Sequence, residues 1–353
     1  MESGLYQILY MNSVPSFAAI NQAVSLCSSF KKTSAKGLVN AVLRKAAEYD
    51  INTAKFSSDK EKMSVLYSIS EEIVDIVMKD YPETYEEILN GMLITPSLTI
   101  NVNTTKIPVD DFKKLLDEKA VSYKTTPLPN CLEITQGGAV TALPGFEEGY
   151  FFVQGLTSRY AISMAGIKAG DNVLDLCAAP GGKTFSAAIY LANTGSIISC
   201  DPNPSRLVLI ENGARRMGFK NITTLENLGQ NYREDLSGKD VIICDVPCSG
   251  IGIIPKKPDL RYKKLDDIKQ LCSLQQDILS TAARYIRTGG RIVYSTCTIN
   301  KAENQQQITE FLASHENFRI VPQKCPVPGA ENDNNMVTFR LRAPKAVKVQ
   351  LSS

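Results

Sequence analysis

The chain has 353 residues, of which 43% are hydrophobic and 22% charged, which is typical of a soluble globular protein with two or three domains. Lysine and arginine total 39 against 37 acidic residues, so the surface is not uniformly basic, although local patches could still meet nucleic-acid phosphates. No apolar run approaches the ~18 residues of a membrane span, and the first twenty residues lack a basic signal-peptide region. We therefore expect a cytoplasmic protein without a membrane partner.

Nine cysteines and a single histidine, His315, limit the chemistry available to the chain. Without an export signal, the cysteines are most simply reduced thiols rather than a disulfide framework. The absence of a Cys-x-x-Cys pair argues against a zinc finger, and the lone histidine argues against a hydrolase with a histidine base. We expect no bound metal.

The first part of the chain combines helices with a small region of alternating strands. The predicted elements are, in order, helices within 1–50 and at 71–79 and 84–93, a strand at 98–102, a helix at 109–119 and a strand at 131–135. The polar stretch 51–62 between the helices suits a linker. We divide this part into a helical domain, 1–55, and a helical linker with a small α+β subdomain, 56–150.

The third region, 151–353, consists of alternating strands and helices. The predicted strands are 172–177, 196–200, 240–246, 291–296 and a last one within 336–341, and the predicted helices are 183–191, 205–217 and 266–286. This alternation predicts a doubly wound α/β sheet with right-handed crossovers.

A turn of small residues joins the first of these strands to its helix. It consists of Cys177, Ala178, Ala179, Pro180, Gly181, Gly182 and Lys183. Small residues let the backbone approach a ligand, and the following helix N-terminus offers free N–H groups. Asp201 ends the next strand, where a carboxylate can accept hydrogen bonds from ribose hydroxyls. The turn matches neither a phosphate loop nor a dinucleotide fingerprint, so it predicts a different nucleoside-containing cofactor.

Two cysteines follow later strands of the same region. Cys248 lies in the segment 245–250, Asp-Val-Pro-Cys-Ser-Gly, and Cys297 lies in 294–298, Tyr-Ser-Thr-Cys-Thr. A free cysteine taken alone is most often a small buried hydrophobe. The carboxyl ends of parallel strands, however, face one crevice, so both thiols are candidates for chemistry beside the cofactor turn.

The segments 176–184, 245–250 and 294–298 together resemble, in this order, three signature motifs of the Sun-type RNA cytosine-C5 methyltransferases. The resemblance covers most of residues 150–315 and implies a Rossmann-like domain that binds S-adenosyl-L-methionine. Residues 4–11 and 37–44 look like the bacterial Sun/RsmB subfamily, which modifies 16S ribosomal RNA and carries a NusB-like helical domain. The match begins part-way through that domain, so we expect a shortened form of it.

The resemblance also implies roles for individual residues. Cys297 would be the nucleophile that attacks the cytosine, and Cys248 would assist release of the product. Asp245 would hydrogen-bond the cytosine ring, and Lys183 would orient the base. Cofactor binding would involve the turn Cys177–Lys183 together with the residues Asp201, Arg206, Asn227 and Asp245.

Two positions differ from the family pattern. Gly155 stands where an aspartate is usual, and Asn227 lies near the place of an acid that would contact the adenine side of the cofactor. A basic segment directly after the Cys248 turn is predicted to contact RNA phosphates. It contains Lys256, Lys257, Arg261, Lys263 and Lys264.

Three alternatives remain open on the sequence. A DNA cytosine-C5 methyltransferase would use the Pro-Cys thiol, Cys248, as its nucleophile. A catalytically silent RNA-binding or ribosome assembly factor could retain the same fold. A methyltransferase acting on tRNA or 23S rRNA would share the chemistry. The working expectation is a monomeric enzyme with 16S rRNA as its partner.

Overall fold

The computed structural model describes residues 1–49, 54–136, 138–321 and 337–343. The chain forms two compact units, Met1–Lys62 and Met63–Ser353. No helix within the described ranges is long and apolar enough to cross a membrane.

The first unit is helical, as predicted, with α1 at Glu2–Tyr10, α2 at Ser16–Ser29 and α3 at Lys36–Ala47. Ile20, Val39 and Leu43 form its buried core. Gly4 allows α1 to approach closely, because a Cβ there would lie 3.1 Å from the Leu43 side chain.

Three further helices follow, α4 at Asp59–Tyr67, α5 at Glu71–Asp80 and α6 at Tyr85–Gly91. The linker predicted over 51–62 is wrong at its end, because α4 begins at Asp59. The Ser58 hydroxyl accepts a hydrogen bond from the Glu61 N–H, which is the helix-starting half of a capping box. The polar residues there stabilise a helix start rather than an irregular linker.

The second unit contains a small antiparallel sheet with the strand order β2-β3-β1-β4. Its elements are β1 at Leu98–Val102, α7 at Val109–Glu118, β2 at Ser122–Thr125, β3 at Cys131–Gln136 and β4 at Phe151–Val153. The predictions for β1, α7 and β3 are confirmed, whereas β2 and β4 are too short for periodicity to reveal. Because β4 pairs with β1, the sheet extends beyond the boundary predicted at residue 150.

The main sheet has the strand order β10-β11-β9-β8-β5-β6-β7 among the described residues. Its strands are β5 at Asn172–Asp175, β6 at Ser196–Asp201, β7 at Ile222–Glu226, β8 at Lys239–Asp245, β9 at Ile286–Thr296, β10 at Arg319–Ile320 and β11 at Val337–Arg342. Strands β5 to β9 are parallel to one another. At one edge, β11 runs antiparallel to its two neighbours, β9 and β10. The doubly wound prediction is confirmed.

Helices lie between the strands of the main sheet and supply its apolar cover. They are α8 at Leu156–Met164, α9 at Gly182–Leu191, α10 at Pro204–Met217, α11 at Ile268–Tyr285 and α12 at Gln305–Ser314. One buried cluster lies under α9 and α10 and a second under α11, so the sheet is covered on both faces.

Helices α5 and α6 pack beside the ends of β8 and β9. Their buried residues share a cluster with Ile251, Ile254 and Ile299, which lie in the loops that follow the two strands. The Tyr81 hydroxyl also donates a hydrogen bond to the Ile299 carbonyl, at 2.7 Å. These helices therefore support the loops that carry Cys248 and Cys297.

Candidate active site

The cofactor turn, Cys177–Lys183, connects the end of β5 to α9. Gly181 has φ +107°, and a Cβ there would lie 2.6 Å from the Phe185 ring, so only glycine fits. The Ala178 N–H donates to the Cys200 carbonyl at 2.8 Å, which ties the turn to the end of β6. The turn thus presents backbone and a helix N-terminus at the carboxyl edge of the sheet.

Asp201, 2% exposed, lies at the end of β6 beside this turn. One carboxylate oxygen accepts the Asn203 N–H at 3.0 Å, and the other pairs with Arg206 at 3.2 Å. Arg206 also donates to the Ala179 carbonyl at 2.6 Å and so bridges the turn and the strand end. Because each carboxylate oxygen has two lone pairs, Asp201 can still accept from a ligand hydroxyl.

Asn227 follows β7, next to the end of β6. Its backbone N–H donates to the Asp201 carbonyl at 3.4 Å. Its side-chain amide donates to the carbonyls of Leu228 and Asn231, at 2.9 and 3.2 Å. The amide therefore holds the shape of its own loop beside Asp201.

Asp175, which the sequence reasoning did not single out, ends β5 just before the turn. It is fully buried, and one of its oxygens accepts from the Thr184 hydroxyl at 2.8 Å while the other has no partner among the described residues. Burial raises the pKa of this carboxyl to about 7, against the opposing hydrogen bond from Thr184. The signal in the sequence was an acidic residue at the end of the strand that leads into the cofactor turn.

Lys183 and Asp245 form an ion pair between the start of α9 and the end of β8. The Lys183 ammonium, on a residue only 7% exposed, lies 2.6 Å from Asp245 Oδ2. Asp245 Oδ1 accepts from the Ser295 hydroxyl at 2.9 Å. The pair links the cofactor turn to the strand ends that precede both thiols.

Cys248 and Cys297 are brought together by the loops that follow β8 and β9, and their sulfurs lie 3.2 Å apart. The pKa of Cys297 is lowered chiefly because the Cys248 thiol hydrogen-bonds to its sulfur, while burial and the Asp245 charge oppose this and Lys183 assists it. The same contact, followed by burial, raises the pKa of Cys248 well above its ordinary value. Cys297 is thus the thiol that ionises more readily, and the thiolate is the reactive form.

A buried polar network lies beneath the thiols and was also missed by the sequence reasoning. Glu303 is completely buried and accepts hydrogen bonds from the Ser249 N–H and hydroxyl, at 2.7 and 2.6 Å. Asn304 donates to the Thr298 carbonyl at 2.9 Å. An acid and an amide within seven residues of Cys297 were the signal in the sequence.

The basic segment after Cys248 is only partly available to a ligand. Lys256, Lys257 and Lys264 are exposed, and the Lys256 ammonium lies over Gly155, where a Cβ would be 2.6 Å from it. Arg261 instead donates to the carbonyls of Tyr67 and Met92, at 3.0 and 2.8 Å. The guanidinium of Arg261 therefore fastens the segment to residues 67 and 92, and its contact with RNA stays a prediction.

Lys263 is intermediate between the exposed lysines and Arg261, because it is partly exposed and partly engaged with its own loop. Its ammonium is 3.5 Å from the Ser249 carbonyl and 3.9 Å from the Asp267 carboxylate, and its side chain is 30% exposed. It can therefore reach solvent while it also faces the loop of Cys248.

The donor set at the carboxyl edge of the sheet fits S-adenosyl-L-methionine. The turn presents backbone beside the N-terminus of α9, and a Cβ at Gly229 would lie 3.4 Å from the Cys177 sulfur, so a second loop closes tightly on the turn. Asp201 retains lone pairs for hydroxyl groups. Within the described ranges, no group of His, Cys, Asp and Glu residues is arranged to hold a metal ion.

Comparison with known protein families gives matches in three parts of the chain. A family described as 16S rRNA methyltransferase RsmB/F matches residues 163–346, the NusB family matches residues 1–48, and the ferredoxin-like domain of RsmF/B-like methyltransferases matches residues 72–141. The last two matches lie in the helical region and in the region of the small sheet.

Individual relatives agree with these matches. Ribosomal RNA small subunit methyltransferase B of Escherichia coli O6:H1 is 30% identical over 351 residues, which cover 96% of this chain and 80% of that protein. A probable ribosomal RNA small subunit methyltransferase B of Synechocystis is 32% identical, covering 96% and 77%. The crystal structure of a methyltransferase homologue from Pyrococcus horikoshii superposes with a TM-score of 0.71 at 25% identity, covering 82% of this chain and 100% of that one.

The matched residues include the cofactor turn, the Lys183–Asp245 pair and both thiols. S-adenosyl-L-methionine is accordingly the cofactor. The chain belongs to the RsmB/F family of 16S rRNA methyltransferases.

Proposed function

We propose that this protein transfers a methyl group from S-adenosyl-L-methionine to carbon-5 of a cytosine in 16S rRNA, through a covalent adduct with Cys297. The observation that carries the proposal is the thiol pair, whose sulfurs lie 3.2 Å apart beside the Lys183–Asp245 ion pair. The names and domain matches of the relatives favour 16S rRNA as the substrate.

Addition of a thiolate makes carbon-5 of the cytosine reactive toward the methyl group. Carbon-5 of cytosine is a poor nucleophile, so direct methylation would be slow. Addition of the Cys297 thiolate to carbon-6 makes carbon-5 enamine-like and divides one difficult step into easier ones. The lowered pKa of Cys297, caused first by the hydrogen bond from Cys248, increases the thiolate fraction near neutral pH.

Asp245 and Lys183 would act on the base. Asp245 is held by Lys183 on one oxygen and by Ser295 on the other, and its side chain remains 32% exposed. A carboxylate fixed in this way can accept a hydrogen bond from the exocyclic amino group of the cytosine, or from ring nitrogen N3 once N3 is protonated, and so stabilise the adduct. Lys183 would orient the base from the other side of the ion pair.

Cys248 would complete the reaction. Once the methyl group is on carbon-5, the carbon-5 proton must leave before the bond between Cys297 and carbon-6 can break. Cys248, once its thiol has lost its own proton to solvent, would take up the carbon-5 proton, and the pKa raised by the contact with Cys297 and by burial makes its thiolate a strong base. Release then returns the Cys297 thiolate.

The cofactor supplies an activated methyl group when bound. The turn Cys177–Lys183 would hold it through backbone groups, and Asp201 would accept its ribose hydroxyls. Arg206 would keep Asp201 and the turn together, and Asn227 would shape the loop beside them.

RNA would be bound through Lys256, Lys257, Arg261, Lys263 and Lys264 and would present an unpaired or flipped cytosine, because the reaction needs access to both faces of the base.

We divide the monomer into a helical domain, 1–55, a helical linker with a small α+β subdomain, 56–150, and a catalytic domain, 151–353. A cytoplasmic location accords with a ribosomal substrate.

The test is transfer of radiolabelled methyl from S-adenosyl-L-methionine to unmodified 16S rRNA. Wild type should form 5-methylcytosine, Cys297→Ala should not, and Cys248→Ala should accumulate a covalent RNA adduct. Cys272→Ala, a thiol in the same unit that donates to the Ala302 carbonyl, serves as the matched control.

Each other outcome contradicts a distinct part of the proposal. An adduct that requires Cys248 rather than Cys297 would indicate the DNA-type assignment of the two thiols. Transfer to tRNA or 23S rRNA in preference to 16S rRNA would reject the substrate. No transfer by folded wild type, even on ribosomal precursors, would leave a catalytically silent RNA-binding factor.

A further inference from the structure

Glu303 is a buried charge that the methylation chemistry does not use. It is fully buried, and its carboxylate accepts hydrogen bonds from the Ser249 N–H and hydroxyl, from Asn300 at 3.0 Å and from Gln275 at 3.2 Å. All four partners donate, which is the pattern expected of an ionised carboxylate. No lysine or arginine within the described ranges forms an ion pair with it.

The partners of Glu303 connect the two loops that carry the thiols. Ser249 is next to Cys248, and its hydroxyl is 2.8 Å from the hydroxyl of Thr298, the neighbour of Cys297. The Gln275 amide that donates to Glu303 also donates to the Pro247 carbonyl, at 2.9 Å. One carboxylate therefore joins α11, the loop after β8 and the loop after β9.

The same carboxylate places a negative charge near one thiol. Buried charges are screened weakly, and a nearby negative charge disfavours a thiolate. The charged groups that act on Cys297 are Asp245, which disfavours its thiolate, and Lys183, which favours it. The acidic side chain that acts on Cys248 is Glu303, which hydrogen-bonds to the N–H and hydroxyl of the adjacent Ser249.

We propose that Glu303 is a positioning residue that holds the two thiols together and keeps the proton on Cys248, so that Cys297 is the one that ionises. The inference rests on the proposed function, because it explains why Cys297 rather than Cys248 serves as the nucleophile. The Glu303 charge acts in the same direction as the contact with Cys297 and burial, which raise the pKa of Cys248 first.

The test compares the alkylation of the two thiols by iodoacetamide across a pH series, at less than one alkyl group per protein. In this reaction a thiolate forms an S–C bond and iodide leaves, so the rate at each cysteine follows its thiolate fraction. Peptide mass spectrometry gives the ratio of Cys297 to Cys248 modification. The variants are Glu303→Gln, Glu303→Asp and, as control, Glu310→Gln on an exposed position of α12.

Wild type and Glu310→Gln should be modified mainly at Cys297. Glu303→Gln should lower the ratio several-fold and shift the alkylation profile of Cys248 to lower pH, because the loss of a nearby negative charge favours its thiolate. Glu303→Asp keeps the charge and should restore most of the preference. A folded Glu303→Gln protein with the wild-type ratio and pH profile would overturn the proposal.

Ser249→Ala provides a second variant if Glu303→Gln does not fold. It leaves the charge in place and removes the hydroxyl that joins Glu303 to Thr298. We expect a several-fold lower kcat with an unchanged KM for RNA, and a wild-type kcat would count against the positioning role. Alkylation needs no methyl transfer, so an inactive protein with a Glu303-dependent ratio would reject the proposed function and retain this inference.

Discussion

The cofactor turn and the thiol pair lie at the same edge of the main sheet but are built in different ways. The turn is one continuous segment, 177–183, whose shape depends on the positive φ of Gly181 and on backbone hydrogen bonds. The thiol pair joins residues 49 positions apart and depends on side chains buried beneath it.

This difference indicates how each site should respond to substitution. A site made of backbone is disturbed mainly by added atoms, because its ligands are N–H groups and space. A site held by a buried polar network is disturbed by the removal of any member, because the remaining donors and acceptors lose their partners. Lys183 belongs to both sites, since it ends the turn and pairs with Asp245.

The largest effect is expected for Lys183→Met. Loss of the ammonium would leave the Asp245 carboxylate without its cation. It would also remove a charge that, after the hydrogen bond from Cys248, helps to lower the pKa of Cys297. We expect kcat to fall by about 10²–10³-fold, as for the loss of one preorganised electrostatic contact. Steady-state methyl transfer measures it, with exposed Lys168→Met as control. An equal decrease in kcat in the two variants would show that the Lys183–Asp245 ion pair has no specific role in catalysis.

The next prediction concerns Asp175, the buried acid just before the cofactor turn. If the turn also depends on this side chain, it is not built from backbone alone, and the difference from the thiol pair is smaller. Its pKa is about 7 in the folded chain and about 4 when unfolded, so the folded state binds more protons between these values. Stability due to this group is therefore present at low pH and lost as pH rises from about 4 to about 7.

Asp175→Asn should accordingly gain stability relative to wild type as the pH rises, by one to a few kcal/mol between about pH 5 and pH 8. Urea denaturation at the two pH values measures the change, with exposed Asp266→Asn as control. A stability difference that is independent of pH would show that Asp175 does not titrate in this range.

Gly181→Ala tests the cofactor turn by adding a methyl group to it. The new methyl group would contact the Phe185 ring, and alanine is strained at φ +107°. We expect a loss of about 1–2 kcal/mol, which corresponds to about five- to thirtyfold weaker cofactor binding if the turn alone is distorted. Calorimetric titration with S-adenosyl-L-methionine measures it. Gly91→Ala, where a Cβ meets nothing within 4 Å, is the control.

The last comparison is between Arg261 and nearby Lys257, which has the smallest expected effect on stability. Arg261→Lys would leave backbone carbonyls of 67 and 92 without their donors and should destabilise the fold by about 1–3 kcal/mol. Lys257→Gln should change stability by less than about 0.5 kcal/mol but lower the salt dependence of RNA binding by about one ion. Thermal unfolding and filter binding at several salt concentrations separate the two. A stable Arg261→Lys protein with a lower salt dependence of RNA binding would identify Arg261 as an RNA ligand.

The contacts of Arg261 with two backbone carbonyls could not be predicted from the sequence, for a physical reason. A basic residue among lysines has the same composition whether its head group faces solvent or a backbone carbonyl, and only the packing of helices α4 to α6 decides between these. The start of α4 was missed because polar residues over 51–62 are typical of a linker, although Ser58 and Glu61 also match a capping box.

The sequence by itself determined the main-sheet strands β5, β6, β8, β9 and β11, the helices α9, α10 and α11, the cofactor turn and the two thiols. These features are encoded locally, by strand periodicity, by small residues in one turn and by cysteines at strand ends. Only the tertiary structure decided that the thiols lie within hydrogen-bond distance, that Cys297 ionises before Cys248, and that Glu303 connects their loops. The reason is that pKa values and buried hydrogen bonds depend on distances between residues that are far apart in the chain.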